Sequence, residues 1–258
     1  MIDWADVNGV SLRYDLSGDG PATLVLLHEM GGSLESWDHV VRLLPPCRIL
    51  RFDMRGCGFS QKISKLTFDD LLQDLVALMD ALELHGPVSM AGIAVGAALS
   101  VRFAAQNPER VRGLVLMSLA TGIAPEQRDA TQALAAQIAS GGLRDRVDMR
   151  LPATFAEEFR DDPHRLREFR GRAIANDPAS YAAWYHMLLD LDLTADLPQL
   201  RCPALILAGE KDGTRPPARV ARDAAPIPDH IFEAVSSGHV MPMLTPGLVA
   251  DRIKGFAL

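Results

Sequence analysis

Met90-Ala-Gly-Ile-Ala-Val-Gly-Ala-Ala-Leu99 decides the fold. Residues 87–94 (PVSMAGIA) read as a buried strand and residues 95–108 (VGAALSVRFAAQNP) as a helix, so a sharp strand-to-helix turn falls between them. Gly92 and Gly96 bracket that turn, where a Cβ at either place would crowd the turn or the contact between helix and strand. Ala94 lies between the two glycines. If its φ is positive, the geometry costs a non-glycine residue roughly 1–3 kcal/mol. Glycine would be the easier occupant unless the position once carried a working side chain.

The same alternation extends outward in both directions. Upstream, VSLRYDLSG alternates apolar and polar residues, as a strand with one wet face does. ATLVLLHE is a continuous apolar run ending at His28, the mark of a strand covered on both faces. SLESWDHVVRLL has helical spacing, and CRILRFDMRG is a strand running into a glycine turn. TFDDLLQDLVALMDALEL is an amphipathic helix with Thr67 as its cap and Asp69 and Asp70 in its first turn, where the helix dipole favours acids. Downstream, VRGLVLMSLA is a strand. The rhythm stops at Thr121-Gly122 and resumes with CPALILAGEKD (strand), ARVARDAA (helix), HIFEAVS (strand) and LVADRIKGFA (helix). Strands alternating with helices specify an α/β fold, a doubly wound and mostly parallel sheet. Residues 1–122 and 193–258 form that core. Residues 123–192, helical throughout, form an inserted cap.

Length and charge narrow the function. A chain of 258 residues with net charge −7 carries no basic surface for nucleic acid. No apolar run approaches the ~20 residues that span a bilayer, and Met1-Ile2-Asp3-Trp4 does not begin a signal peptide. Cys47, Cys57 and Cys202 fit neither a disulfide framework nor a metal site, so a reducing cytoplasm is expected. The expected partner is a small-molecule substrate, with no membrane and no nucleic acid; composition leaves the oligomeric state open.

Ligands of open parallel sheets bind beyond the carboxyl ends of the strands. The residues there are His28-Glu29-Met30-Gly31-Gly32, Asp53-Met54-Arg55-Gly56, the Gly92–Gly96 turn, Asp212 and His239. In this order the chain resembles the α/β-hydrolase superfamily over essentially its whole length. HEMGGS resembles the oxyanion loop, DMRGCGFS the Asp-x-Arg-Gly-x-Gly-x-Ser turn, and GIAVG the Gly-x-Ser-x-Gly nucleophile elbow. AGEKD and SGHVMPMLTP resemble the acid and histidine loops. Residues 177–200 resemble the end of the cap in 3-oxoadipate enol-lactonases.

The resemblance implies that Asp212 orients His239, the general base, and that the amides of Met30 and Val95 form the oxyanion hole. It implies a structural role for His28 and an architectural one for Asp53 and Arg55. It implies hydrolysis of an ester, a lactone or an activated C–C bond in a small, carboxylate-bearing metabolite, with neither metal nor organic cofactor. Glu29 departs from the pattern, since glycine usually follows the histidine; with Trp184 and Met241 it is a candidate for substrate contact. Tyr185, Met187 and Met243 are further candidates for the pocket wall, against the alternative of ordinary packing. The cap arginines Arg144, Arg146, Arg150, Arg160, Arg165, Arg167, Arg170 and Arg172 alternate with acids, as an ion-paired solvated face does. One of them can turn inward to hold a carboxylate.

Ala94 occupies the nucleophile position, where the family has serine. Three accounts follow. A hydrolase is inactivated by an engineered Ser→Ala change; or a natural lyase or oxygenase works with the His239–Asp212 dyad alone; or the pocket is a non-catalytic receptor. The intact glycines, acid, histidine and oxyanion loop favour the first.

Overall fold

The computed structural model describes residues 1–258. Eight strands make one sheet: β1 (Ile2–Val7), β2 (Val10–Ser17), β3 (Thr23–Leu27), β4 (Arg48–Phe52), β5 (Val88–Ile93), β6 (Val111–Met117), β7 (Ala204–Gly209) and β8 (His230–Val235). Their order is β1-β2-β4-β3-β5-β6-β7-β8. The pairs β1–β2 and β2–β4 are antiparallel, and every other pair is parallel. The doubly wound, mostly parallel sheet expected from the sequence is the one observed.

Successive residues of the central strands enter different cores, as the period of two requires. Val25, Met90, Leu114 and Ile206 pack on one face, with helices α2 (Phe68–Ala81) and α3 (Val95–Gln106). Leu24, Ala91, Val115 and Leu205 pack on the other, with Trp37 and Val40. Thr67 caps α2 as expected: its Oγ1 accepts from the Asp70 N–H and the Asp70 carboxylate accepts from the Thr67 N–H, a capping box.

One local expectation fails. Residues 33–44 do not form one helix. Leu34–Trp37 make a 3₁₀ turn and Asp38–Val41 a single turn, α1. Pro45 and Pro46 stop the run, because proline lacks an N–H and disfavours helix in the residue before it. Strand β1, which the sequence reading did not include, pairs with β2 through a tight hairpin at Asn8 and Gly9, both at positive φ (47° and 75°). Its Asn-Gly pair is the available signal for such a turn.

Between β6 and β7 the chain makes no strand. It makes α4 (Arg128–Gly141), α5 (Arg144–Thr154), α6 (Pro163–Ile174) and α7 (Pro178–Asp190). Ala135 and Ile138 of α4 pack on Ala182 and Tyr185 of α7. The chain closes with α8 (Pro217–Ala224), α9 (Met241–Leu244) and α10 (Pro246–Ala257). No helix is long and apolar enough to cross a membrane.

Candidate active site

Strand β5 ends at Ile93 and α3 begins at Val95, leaving Ala94 alone to turn the chain. Its φ is 51° and its ψ −111°. Neighbours over-determine this strained conformation. The Ala94 N–H donates to the Met117 carbonyl of β6 (2.9 Å), and the Ala94 carbonyl accepts from the amides of Ala98 (3.1 Å) and Ala120 (3.3 Å). Gly92 and Gly96 serve close approach: a Cβ on Gly92 would lie 2.4 Å from the Gly96 carbonyl oxygen, and one on Gly96 2.3 Å from that of Leu27. The tip of this turn opens on a cavity of about 670 Å³ that Ala94, Val95, Met30 and His239 all line. Val95 is the first residue of α3, and the opening amides of a helix have no partner within it.

Asp212 follows β7 and is fully buried. Its Oδ2 accepts from His239 Nδ1 (2.8 Å) and from the Ser118 hydroxyl (2.8 Å). Its Oδ1 accepts from the amides of Thr214 and Arg215 (2.7 Å each). Burial alone would push this carboxyl up. The charge and hydrogen bond of His239, with the Arg215 amide and the Ser118 hydroxyl, outweigh burial and hold it below the ordinary carboxylate range. An ionised Asp212 makes Nδ1 the donor, so Nε2 of His239 keeps its lone pair and can accept a proton. Ser118 directly follows β6 and is not among the site residues expected from the sequence. It points at Asp212. Its small polar side chain, following the strand between elbow and acid, was the signal.

His28 ties two loops together. Its Nε2 accepts from the Met54 N–H (3.0 Å), which leaves Nδ1 to donate to the Glu29 carbonyl (2.6 Å). Asp53 accepts from the Leu34 amide (2.7 Å), the Phe59 amide (2.8 Å) and Arg13 (3.1 Å), while Arg55 pairs with Asp74. Both therefore brace the loops around the site. Cys57 lies buried in the same turn, where burial pushes its thiol up to about 12 and keeps it protonated.

Glu29 lines the cavity but does not face solvent. Its Oε1 accepts from Ser36 (3.1 Å) and its Oε2 is buried without a partner. Contrary to the sequence expectation, Trp184 and Met241 do not line the cavity. Trp184 is in the sheet core, its indole N–H donating to the Arg55 carbonyl (3.1 Å), and Met241 is buried against the opposite face. The reason is helical phase: Tyr181, Tyr185 and Leu188 share the stripe of α7 that faces the cavity, and Trp184 and Met187 fall on the next. Met243 is likewise core, and Val240 lines the cavity in place of Met241. Four arginines line it: Arg146 and Arg150 of α5, and Arg215 and Arg219, which the sequence reading did not single out.

This sheet order, with an elbow after β5, an acid after β7 and a histidine after β8, defines an α/β-hydrolase. Residues 22–245 match the model of the alpha/beta hydrolase fold family, and the chain belongs to that family. It is 24% identical over 255 residues to 3-oxoadipate enol-lactonase 1 of Acinetobacter baylyi, covering 96% of this chain and 93% of that one. It is 29% identical over 215 residues to a 2-hydroxy-6-oxo-2,4-heptadienoate hydrolase of Pseudomonas putida, covering 79% of this chain and 76% of that one. A thermophilic esterase from Thermogutta terrifontis, solved with malate bound, superposes with a TM-score of 0.91 at 26% identity, over 99% of this chain and 97% of that one.

Proposed function

We propose that the fold is that of a hydrolase for an ester, lactone or activated C–C bond in a small metabolite, with the attacking group missing from residue 94. The observation that carries this reading is the retained strain at Ala94: φ of 51° beside an intact Asp212–His239 pair. Positive φ aims a side chain into the cavity, and an alanine there has nothing to deliver. With serine at residue 94, Nε2 of His239 would take the hydroxyl proton as Oγ attacks the carbonyl. Asp212 would stabilise the imidazolium, and the amides of Met30 and Val95 would hold the oxyanion. The proton would return to the leaving group, and water activated by the same histidine would release the acyl group. With alanine the chain binds the substrate without covalent attack.

Relatives named as an enol-lactonase, an esterase and a 2-hydroxy-6-oxo-2,4-heptadienoate hydrolase support this range of bonds without choosing among them. The hydrogen bond between Asp212 and His239 (2.8 Å) also suits a second reading, in which the dyad abstracts a proton directly with no nucleophile. The test is Ala94→Ser. Both chains are assayed on p-nitrophenyl acetate and on an enol-lactone. Hydrolysis rising by about 10³-fold or more in the serine form supports the proposal. Turnover by the alanine form that His239→Ala abolishes favours the dyad. Tight binding with no turnover by either form marks a receptor.

A further inference from the structure

We infer that the cavity holds an anionic arm of the substrate, a carboxylate or phosphate monoester, at the seam between the helical insertion and the sheet, through Arg215 with Arg146, Arg150 and Arg219. The inference takes only the position of the reacting carbonyl from the proposal above.

The charge inventory is the first argument. The cavity is lined by four arginines and a single carboxylate, Glu29, in a chain of net charge −7. Partners are the second. Three arginines of the chain are buried: Arg13, Arg55 and Arg215. Arg13 lies on Asp53 (3.1 Å) and Glu35, and Arg55 on Asp74. Arg215 has no carboxylate within 4 Å; its Nη1 donates to the Leu119 carbonyl at 3.3 Å. Arg146 and Arg150 form no ion pair either. Arg150 Nη2 donates to the Thr214 hydroxyl (3.2 Å), and the strongest contact of Arg146 is 3.6 Å to the Met149 sulfur. Arg219 is already paired, its Nε 3.5 Å from the Asp223 carboxylate and its Nη2 donating to the Gly122 carbonyl (3.5 Å), whereas the buried Nε of Arg146 has no partner.

A guanidinium offers five N–H groups, and a buried one left unpaired is costly. This chain supplies the acid for its other buried arginines and omits it only where the cavity is. Burial and the neighbouring charge of Arg219 pull Arg215 down to about 10 against the opposing charges of Asp223 and Asp212, so it remains charged at neutral pH with no carboxylate in direct contact. A bidentate oxyanion group supplies one.

The placement ties this subsite to the reacting centre. Asp212 Oδ1 holds the Arg215 amide at 2.7 Å, while its Oδ2 holds His239. One carboxylate thus fixes both the base and the loop that carries Arg215, so the anionic group lies a short, set distance from the carbonyl. Arg146 and Arg150 are one helical turn apart on α5, whereas Arg215 and Arg219 belong to the sheet side. An anion between them draws α5 onto the sheet.

Binding to the Ala94 chain tests this without turnover, so its outcome is independent of the Ala94→Ser assay. Monomethyl glutarate, dimethyl glutarate and glycerol 3-phosphate are titrated calorimetrically, with thermal melts alongside. The monoacid is expected to bind at least tenfold more tightly than the diester and to raise the melting temperature. A tighter phosphate would assign the arm as a phosphate monoester; a tighter monoacid, as a carboxylate. Arg215→Met and Arg219→Gln should each weaken the preferred anion by about 10- to 100-fold, with Arg215→Lys recovering part of the loss. If Arg215→Met does not fold, Arg146→Gln and Arg150→Gln on the half-buried face of α5 decide. Equal binding of the diester, unchanged affinity in those α5 variants, or no anion binding at millimolar concentration overturns the inference.

Discussion

Gly96 and Gly171 both lie inside helices, yet they belong to regions built on different physics. Gly96 is the second residue of α3, pressed against the backbone of β3; Gly171 is on the exposed side of α6 with open space around it. The floor of the site is assembled from backbone touching backbone. The helical insertion is assembled from side chains, many of them charged and half-exposed. The same added methyl therefore gives opposite results. Gly96→Ala is the larger effect. Its Cβ would lie 2.3 Å from the Leu27 oxygen and 2.6 Å from that of His28, and neither atom is the far end of a flexible side chain. The expected loss is about 3 kcal/mol in urea denaturation, with the elbow displaced from His239. A loss below about 1 kcal/mol would mean that the floor yields as the insertion does.

The next effect concerns charge on the floor. Asp212 sits below its ordinary value in the folded chain. A carboxylate lowered by folding contributes stability that is complete above its unfolded pKa, near 4, and is lost as pH falls through the folded value. Asp212→Asn removes that contribution and leaves the amides of Thr214 and Arg215 competing with His239 for one acceptor oxygen. It is expected to cost about 2 kcal/mol at pH 7, with the gap to the parent narrowing below about pH 4. Denaturation midpoints at pH 7, 5 and 3 measure it. Parallel curves for the two proteins would show that Asp212 carries no pH-linked stability. The exposed pair Arg170–Asp148, which joins α6 to α5 in the insertion, offers the contrast: both partners stay in water.

This division explains what the sequence disclosed. The floor was legible because its constraints act on few residues at fixed offsets. A strand must end, one residue must turn, and glycine is the residue that tolerates contacts of 2.3–2.4 Å at Gly92 and Gly96. His28 is legible as the first polar residue beyond the apolar run of β3, and Asp212 and His239 as the acid and the histidine in the polar turns that follow β7 and β8. The wall of the cavity was not legible. On α7, Tyr185 and Trp184 are adjacent aromatic residues, and only the phase of the helix against the sheet sends one to the cavity and the other to the Arg55 carbonyl. Among the insertion's arginines, Arg170 and Arg146 read alike in a mixed-charge run. Asp148 claims the first, and nothing claims the second. Arg215 was passed over because it follows Asp212 in a polar turn, and its burial arises from contacts with Leu119, distant in sequence. Side-chain fates set by tertiary contacts leave no local pattern.

Gly171→Ala is the smallest effect and the sharper test of the contrast. Nothing lies within 4 Å of a Cβ built there, and its φ is not in the left-handed region. In the middle of α6 the glycine costs backbone entropy and contributes no contact, so alanine is expected to stabilise the protein by about 0.5–1 kcal/mol. Gly142 is the control from the same insertion: it ends α4 at a φ of 81°, where alanine is strained even though space is free. A gain at Gly171 with a loss at Gly142 would show that local backbone preference governs the insertion. A gain at both would not fit a chain that needs the left-handed turn to enter α5. A loss at Gly171 would mean that α6 packs against something there, and that the insertion is as tightly constrained as the floor beneath it.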